Sequence, residues 1–286
     1  MTAPEITRSA ERSKNSGSGI RKYLSFFRIR FTAGFQYRAA ALAGIATQFF
    51  WGLMEIRMFM AFYRTDPAAF PMGIDAVASY VWLQQATLAM FMMWIFDNSI
   101  FEEIKNGGVA VSLCRPCGIY PMWFAQNVSM RLSRAIMRAI PIFVVTAFLP
   151  APYHISLPDS PVVFPLFALS LVLGFIVVIA FSMLVYISAF YTLDVSGTRI
   201  IVAMVAEFCS GAVIPLPFLP DGARRVLDLL PFASMQSTPF LIWGGSISGT
   251  DTLMAIALQI FWAVVLIIAG NLWMRQALKK VVLQGG

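Results

Sequence analysis

Glu55, Arg57 and Glu207 stand where a charge is expensive. The first two interrupt the apolar run Ala39–Tyr63, and Glu207 interrupts Ile200–Leu219. A charge at mid-membrane costs about 2.5–3.5 kcal/mol on insertion scales, so such groups default to a functional or pairing role. Two roles are open on these residues: lining a polar pathway or bridging subunits, or an internal Glu207–Arg57 pair that orients two helices. Arg131, Arg134 and Arg138 recur at spacings of three and four, so a helix gathers them into one stripe. That stripe could snorkel to lipid phosphates, or line a vestibule for an anionic or amphiphilic solute. Cys114-Arg-Pro-Cys117 has the spacing of a redox or zinc pair. It lacks the strand-to-helix setting of a thioredoxin motif, and Cys209 is too distant to complete a zinc set, so no metal site is expected. The single histidine, His154, lies in a Pro-rich loop without acid–base partners. No H-E-x-x-H, G-x-S-x-G or Walker A motif occurs, because none of Lys14, Lys22, Lys105, Lys279 and Lys280 follows a glycine. No catalysis and no cofactor are expected on this chain. Any ATP and Mg that it uses must be bound by another chain.

The elements that position these groups follow from composition. The chain is 59% hydrophobic and 12% charged, and its mean hydropathy is +0.75. A soluble domain carries roughly twice that charge fraction, so the natural solvent is a bilayer. No soluble-looking block exceeds about twenty residues, which implies one membrane domain, residues 21–286, behind a disordered cytoplasmic tail, residues 1–20. The tail has no apolar stretch close behind it and is not a signal peptide. The net charge of +7 comes from basic residues that flank apolar runs, which is membrane orientation and not nucleic-acid binding.

About 20 apolar residues cross the hydrocarbon as a helix. Val77–Phe96, Val162–Leu193 and Thr252–Met274 are charge-free runs. With Ala39–Tyr63, Ile200–Leu219 and Ala139–Leu149 extended back to about Tyr120, they make an all-α membrane protein of six transmembrane helices. Lys and Arg set the orientation. Arg8, Arg12, Lys14, Arg21, Lys22, Arg28, Arg30, Arg38, Lys105, Arg115, Arg199, Arg275, Lys279 and Lys280 fall on one side, against Arg64, Arg224 and Arg225 on the other. Both termini are therefore expected in the cytoplasm, with the chain multi-pass in a cell (inner or plasma) membrane. Leu24–Arg38 interleaves Phe26, Phe27, Phe31 and Phe35 with basic residues, the pattern of an interfacial helix among lipid head groups.

Between the second and third runs the chain leaves the membrane on Glu102-Glu103, turns at Ile104-Lys105-Asn106-Gly107-Gly108, and closes on Leu113-Cys-Arg-Pro116. A short amphipathic helix broken by glycine suits docking into a groove of another protein. The order of these residues resembles the cytoplasmic coupling loop of ABC transporter permeases of the ABC-2 exporter type. Ser210-Gly-Ala-Val-Ile-Pro-Leu-Pro-Phe-Leu-Pro220, then Arg225-Val-Leu-Asp-Leu-Leu-Pro-Phe232 and Thr238-Pro239, resemble the end of the family's fifth span and its outer re-entrant hairpin before the last span. Relatives often carry an acidic residue shortly after the glycine, where this chain has Gly108-Val109-Ala110.

The resemblance implies the permease subunit of an ATP-driven exporter of an amphiphile such as a lipid, drug or peptide. It implies two partners: a cytoplasmic ABC ATPase subunit, contacted through Glu102 to Gly108, and a second permease copy or related permease. It also implies that the first and fifth spans of opposite halves face each other around the pathway, with Ala40, Gly44 and Thr47 permitting close contact. Those spans carry Glu55, Arg57 and Glu207. The alternative is a secondary transporter or channel that works without ATP, with the carboxylates coupling ions.

Overall fold

The computed structural model describes residues 17–36, 38–115, 117–192 and 194–280. The expected tail's Arg8, Arg12 and Lys14, together with Pro116, Leu193 and the side chain of Ala40, lie outside the described residues. Among the described residues there are 11 α-helices and no strands. They are α1 (Gly17–Gly34), α2 (Arg38–Thr65), α3 (Ile74–Phe91), α4 (Asn98–Lys105), α5 (Val109–Leu113) and α6 (Ile119–Ala147), followed by α7 (Val163–Ser188), α8 (Ser196–Cys209), α9 (Asp221–Leu229), α10 (Ser237–Trp243) and α11 (Thr250–Lys280). Short 3-10 turns occupy Pro67–Ala69 and Leu216–Phe218.

The centre of the fold is α3. From Val77 to Phe91 every residue except Leu88 is buried, the signature of a helix enclosed on all sides. Helices α2, α6, α7 and α10 surround it, and α11 lies along the far side of α7. α7 and α11 are each long and apolar enough to cross a membrane. The other expected spans differ in ways the residues explain. α6 is one continuous helix from Ile119, with Pro141 inside it, so the short run Ala139–Leu149 does extend back through the arginines. α8 is only 14 residues, or about 21 Å, less than the ~30 Å of hydrocarbon. It starts before the apolar run Ile200–Leu219 and stops ten residues short of its end. Gly211 (φ +78) lets the chain turn away, and Pro215 and Pro217 forbid a return to α-helix.

α3 also stops early. The apolar run continues to Phe96, but Met92 is extended. A helix end leaves carbonyls without N–H partners, and here Arg131 on α6 takes them. Its Nη1 donates to Met90 O (3.1 Å) and Met92 O (2.9 Å), and its Nη2 to Ile95 O (2.5 Å) and Ser182 Oγ on α7 (3.2 Å). Its Nε donates to Asn127 Oδ1 at 2.9 Å. All five N–H donors of the guanidinium are used, in a side chain with 0% exposure.

On the other side of the core, Gln259 on α11 donates to Ser170 O on α7 (3.1 Å) and Ser234 O (2.9 Å). Gly174 permits this join, since a Cβ there would collide with the Met235 carbonyl. α1 lies along the N-terminal half of α6. Ser129 Oγ donates to Phe27 O (3.2 Å), and the Gly118 N–H donates to the Tyr23 hydroxyl (3.1 Å). Phe27, Phe31 and Phe35 form a ladder of ring contacts at 5.4 and 5.1 Å along the helix.

Two predictions follow from this packing. Arg131→Ala strands buried carbonyls, and removal of a fully paired buried charge or its partners costs about 3–5 kcal/mol. It should cut the thermostable monodisperse fraction sharply in fluorescence-detected size exclusion, and Arg131→Lys, with three donors in place of five, should not rescue it. Gly174→Ala should cost about 1–3 kcal/mol by overpacking. Gly197→Ala, which meets open space, should leave the same melting curve unchanged.

Candidate functional site

The turn between α4 and α5 is built to present an edge. Asp97 begins α4 by accepting the Ser99 N–H (3.0 Å) and hydroxyl (2.7 Å). Asn106 ends it, and Gly107 takes φ +70, the left-handed geometry that favours glycine after a helix. Glu102, Lys105, Asn106 and Gly107 are exposed, while Glu103, Ile104 and Gly108 are half-buried. Asn106 reaches back to Glu102 Oε2 at 3.5 Å. On α5, Val111 and Leu113 are exposed while Val109 and Ser112 are buried. An apolar tip beside an acidic helix face is thus held on short, anchored helices. Cys114 and Cys117 follow it as free thiols.

The inner face of α4 is an aromatic bearing. Ile100 and Phe101 are buried. Phe101 packs on Tyr186 of α7 at 4.9 Å, and Phe96 on both Phe101 and Tyr186 at 5.8 and 5.7 Å. The Asp97 N–H donates to the Tyr186 hydroxyl at 2.7 Å. Arg199, in the first turn of α8, places its guanidinium 5.1 Å from the Phe96 ring centre and 4.7 Å from that of Phe101, within cation–π range. Asp194 accepts the Ser196 N–H (2.9 Å) just before it, and this hydrogen bond holds the exposed Asp194 carboxyl below its ordinary pKa. Beyond this end, α8 packs sparsely against the other helices and buries only Ala203 and Ala206.

Two cavities lie behind this turn. One of about 640 Å³ sits between α1, the 92–99 segment and α6, with Arg30, Arg134, Arg138 and Asp97 in its lining. Gln126 brackets Asp97 Oδ2 and Ser99 Oγ, each at 2.9 Å. The second, about 970 Å³, lies between α2, α3 and α8, and Arg138 and Trp94 line both. Its α2 wall is Gly44, Thr47, Gln48, Trp51, Met54, Glu55 and Met58, one helical face at steps of three and four. Glu207 and Val213 close the α8 side, and Gln84, Gln85 and Leu88 form the α3 side. Gln84 donates its Nε2 to Ala212 O (2.5 Å), and the Tyr80 hydroxyl donates to Gly211 O (2.9 Å). These bonds tie the unwound end of α8 to the core.

The structure therefore brings Glu55, Glu207 and Arg138 to one cavity and Arg134 and Arg138 to the other, and separates the remaining two. Arg57 is exposed and lines neither cavity. The internal Glu207–Arg57 pair is not formed: among the described residues the one ion pair is Arg224–Asp228 at 3.5 Å. On α9, burial raises the Asp228 carboxyl above its ordinary pKa, against the pull of Arg224. Arg131 leaves the arginine stripe for the interior, because the broken end of α3 offers it acceptors. His154 is half-exposed in a loop that is clamped by Trp82 donating to Tyr153 O (2.7 Å) and Trp243 donating to Ser156 O (2.9 Å).

Sequence reasoning passed over Gln48, Gln84, Gln85 and Arg199. The three glutamines carry no charge, yet they were legible as polar residues inside apolar runs. Arg199 read as a loop charge, and nothing in its neighbours along the chain announces the two rings beneath it.

A search of curated proteins returns no match. The family model for ABC-2 family transporter proteins matches residues 48–285, from Gln48 on α2 through the end of α11. The chain belongs to the ABC-2 transporter family, whose members are the membrane permease components of ABC transporters and work with ABC ATPase partners.

Proposed function

We propose that this chain is the membrane-spanning subunit of an ATP-driven exporter that moves an amphiphile out of the cytoplasm, in a dimer with a second copy or a related permease. α2, α3, α6, α7, α8 and α11 are its six spans, with α8 completed by the irregular segment through Phe218. α9 and α10 form the outer hairpin, and both termini are cytoplasmic. ATP and Mg belong to a separate ATPase subunit. The excess of Lys and Arg in α1, in α4 and at the start of α8 supports this orientation by the positive-inside rule.

The observation that carries this reading is the contact of Arg199 with Phe96 and Phe101. It joins the exposed α4–α5 edge to α8, the least anchored of the long helices, and α8 carries Glu207 into the larger cavity. Nucleotide-driven displacement of α4 by the ATPase would shift α8 through this contact. The glutamine and tyrosine bonds to Gly211 and Ala212 would act as the pivot at its other end. α7, held along α11 by Gln259, is the fixed frame against which α8 moves.

A mild-detergent pull-down of the tagged chain should yield a stoichiometric subunit with a Walker A loop. The partner should be lost when Glu102, Glu103 and Gly107 are all changed to alanine. A preparation of this chain alone that still moves solute in ATP-free vesicles, and stops when an ion gradient is collapsed, would replace the proposal with the ion-coupled transporter. Arg199→Leu should keep the ATPase bound but lower transport per ATP hydrolysed by about tenfold, since a partly desolvated cation–π contact contributes about 0.5–2 kcal/mol. Equal coupling ratios in Arg199→Leu and the unaltered protein would sink the relay.

A further inference from the structure

The larger cavity is not neutral along its length. Arg138 stands at the Gly44 end, where its guanidinium lies against that glycine. Glu55 lies eleven residues further along α2, or about 16 Å by helix rise. Glu207 lines the same cavity from the α8 side, and no cation pairs with either carboxylate among the described residues. The amides around them are unusual. Gln48 is 5% exposed, and both polar atoms of its side chain lack a partner. Gln84 is 6% exposed and spends its Nε2 on Ala212 O, so its Oε1 is a buried acceptor with nothing to accept from. One oxygen of Glu207 is enclosed and unpartnered too. An unmatched buried polar atom costs about 1–3 kcal/mol, and here most of the unmatched atoms are acceptors on residues that line one cavity.

Acceptors with negative charge call for a donor with positive charge. The walls between them are apolar and adaptable: Met54, Met58 and Leu88, with the Trp51 ring one turn from Glu55. Tryptophan faces attract cations, and methionine side chains repack around varied shapes.

We infer that the cavity between α2, α3 and α8 binds an amphiphilic ammonium. Its N–H donors meet Glu55, Glu207 and the side-chain oxygen of Gln84, and its apolar body lies on Trp51 and the methionines. An N–H-bearing cation fits better than a quaternary one, because only the former supplies the missing hydrogen bonds. The basic end at Arg138 disfavours insertion of the ammonium in the reverse sense. This deepens the transport reading above by assigning the chemical class of the solute, and it rests on that reading only for the direction of movement.

The test uses the full chain in lipid nanodiscs without any ATPase. Monodansylcadaverine, a primary ammonium, is compared with its neutral N-acetyl derivative and with the carboxylate of dansyl-6-aminohexanoic acid, which share its apolar body. Energy transfer from tryptophan to dansyl reports occupancy. The ammonium should bind saturably, and both analogues at least about tenfold more weakly, the factor that corresponds to 1.4 kcal/mol. Glu55→Gln and Glu207→Gln should each weaken the ammonium by about tenfold, with Glu55→Asp recovering part of the loss. Equal binding of the three analogues to the unaltered protein would overturn the assignment even if every variant failed to fold. So would ammonium binding that survives the double E55Q/E207Q substitution in a chain that still elutes as a folded species. Because no ATPase is present, saturable ammonium binding alongside an empty pull-down would sink the exporter reading and keep the site. A productive pull-down with no charge preference would do the opposite.

Discussion

The end of this molecule that carries α4 and α5 depends on how one broken helix end is satisfied. In hydrocarbon there is no water to take the carbonyls that a helix leaves open, so irregular backbone is tolerated only where protein supplies the partners. α3 ends at Phe91 inside the bundle; Met92 still donates its N–H back to Leu88 O (3.0 Å), and beyond it the chain runs to Phe96 as a non-helical turn. Arg131 makes this affordable by placing five donors against Met90, Met92, Ile95, Asn127 and Ser182. The positive charge also faces the negative end of the α3 dipole. With carbonyl dipoles around it, the guanidinium needs no carboxylate, and among the described residues none is paired with it.

That break decides where the exposed α4–α5 edge sits. Because α3 does not run on through Phe96, the Phe96 ring turns to meet Tyr186 and Phe101, and Asp97 is free to cap α4. Arg199 then covers both rings. A continuous α3 would carry these residues on around a helix, and the bearing under α4 would not exist. The same segment supplies Trp94, which walls both cavities. A single buried arginine therefore fixes the end of α3, the angle at which α4 leaves, and the partition between the two cavities.

The parts of this arrangement legible in the sequence are those that depend on local chemistry. α7 and α11 stand out because their apolar runs are uninterrupted by charge, and the Gly107 turn because only glycine sits comfortably at φ +70. The helix break near Gly211 and Pro215 was written in residue types, but the apolar run across it concealed how short α8 is. What could not be read was which members of a like set turn inward. Arg131, Arg134 and Arg138 share a face and a charge, and only the three-dimensional position of the α3 carbonyls distinguishes the first from the others. Arg57 and Glu207 looked like partners because they are rare charges in apolar runs, yet complementary sign says nothing about which faces of two helices meet. The glutamines show the reverse failure. A search for charge alone overlooks an amide, although a buried amide carries much the same obligation to be paired.

The contrast between α7 and α8 gives the fold its division of labour. In a bilayer the hydrophobic effect does little to hold one apolar helix on another, so packing and interhelical hydrogen bonds must do so. α7 has both: Gly174 against the 230s backbone, Gln259 across to α11, and Ser182 on Arg131. α8 buries two alanines along its length and leaves Ile200, Ile201, Met204 and Phe208 outward. Its attachments are concentrated at its ends, on the rings under Arg199 and on the carbonyls of Gly211 and Ala212. In the proposed coupling, a helix held at its ends and loose between them would carry motion along its length, with Glu207 two turns from Arg199. Under that proposal, displacement at α4 would reach the large cavity through α8, because the α7–α11 pair is held along its length by packing and by Gln259.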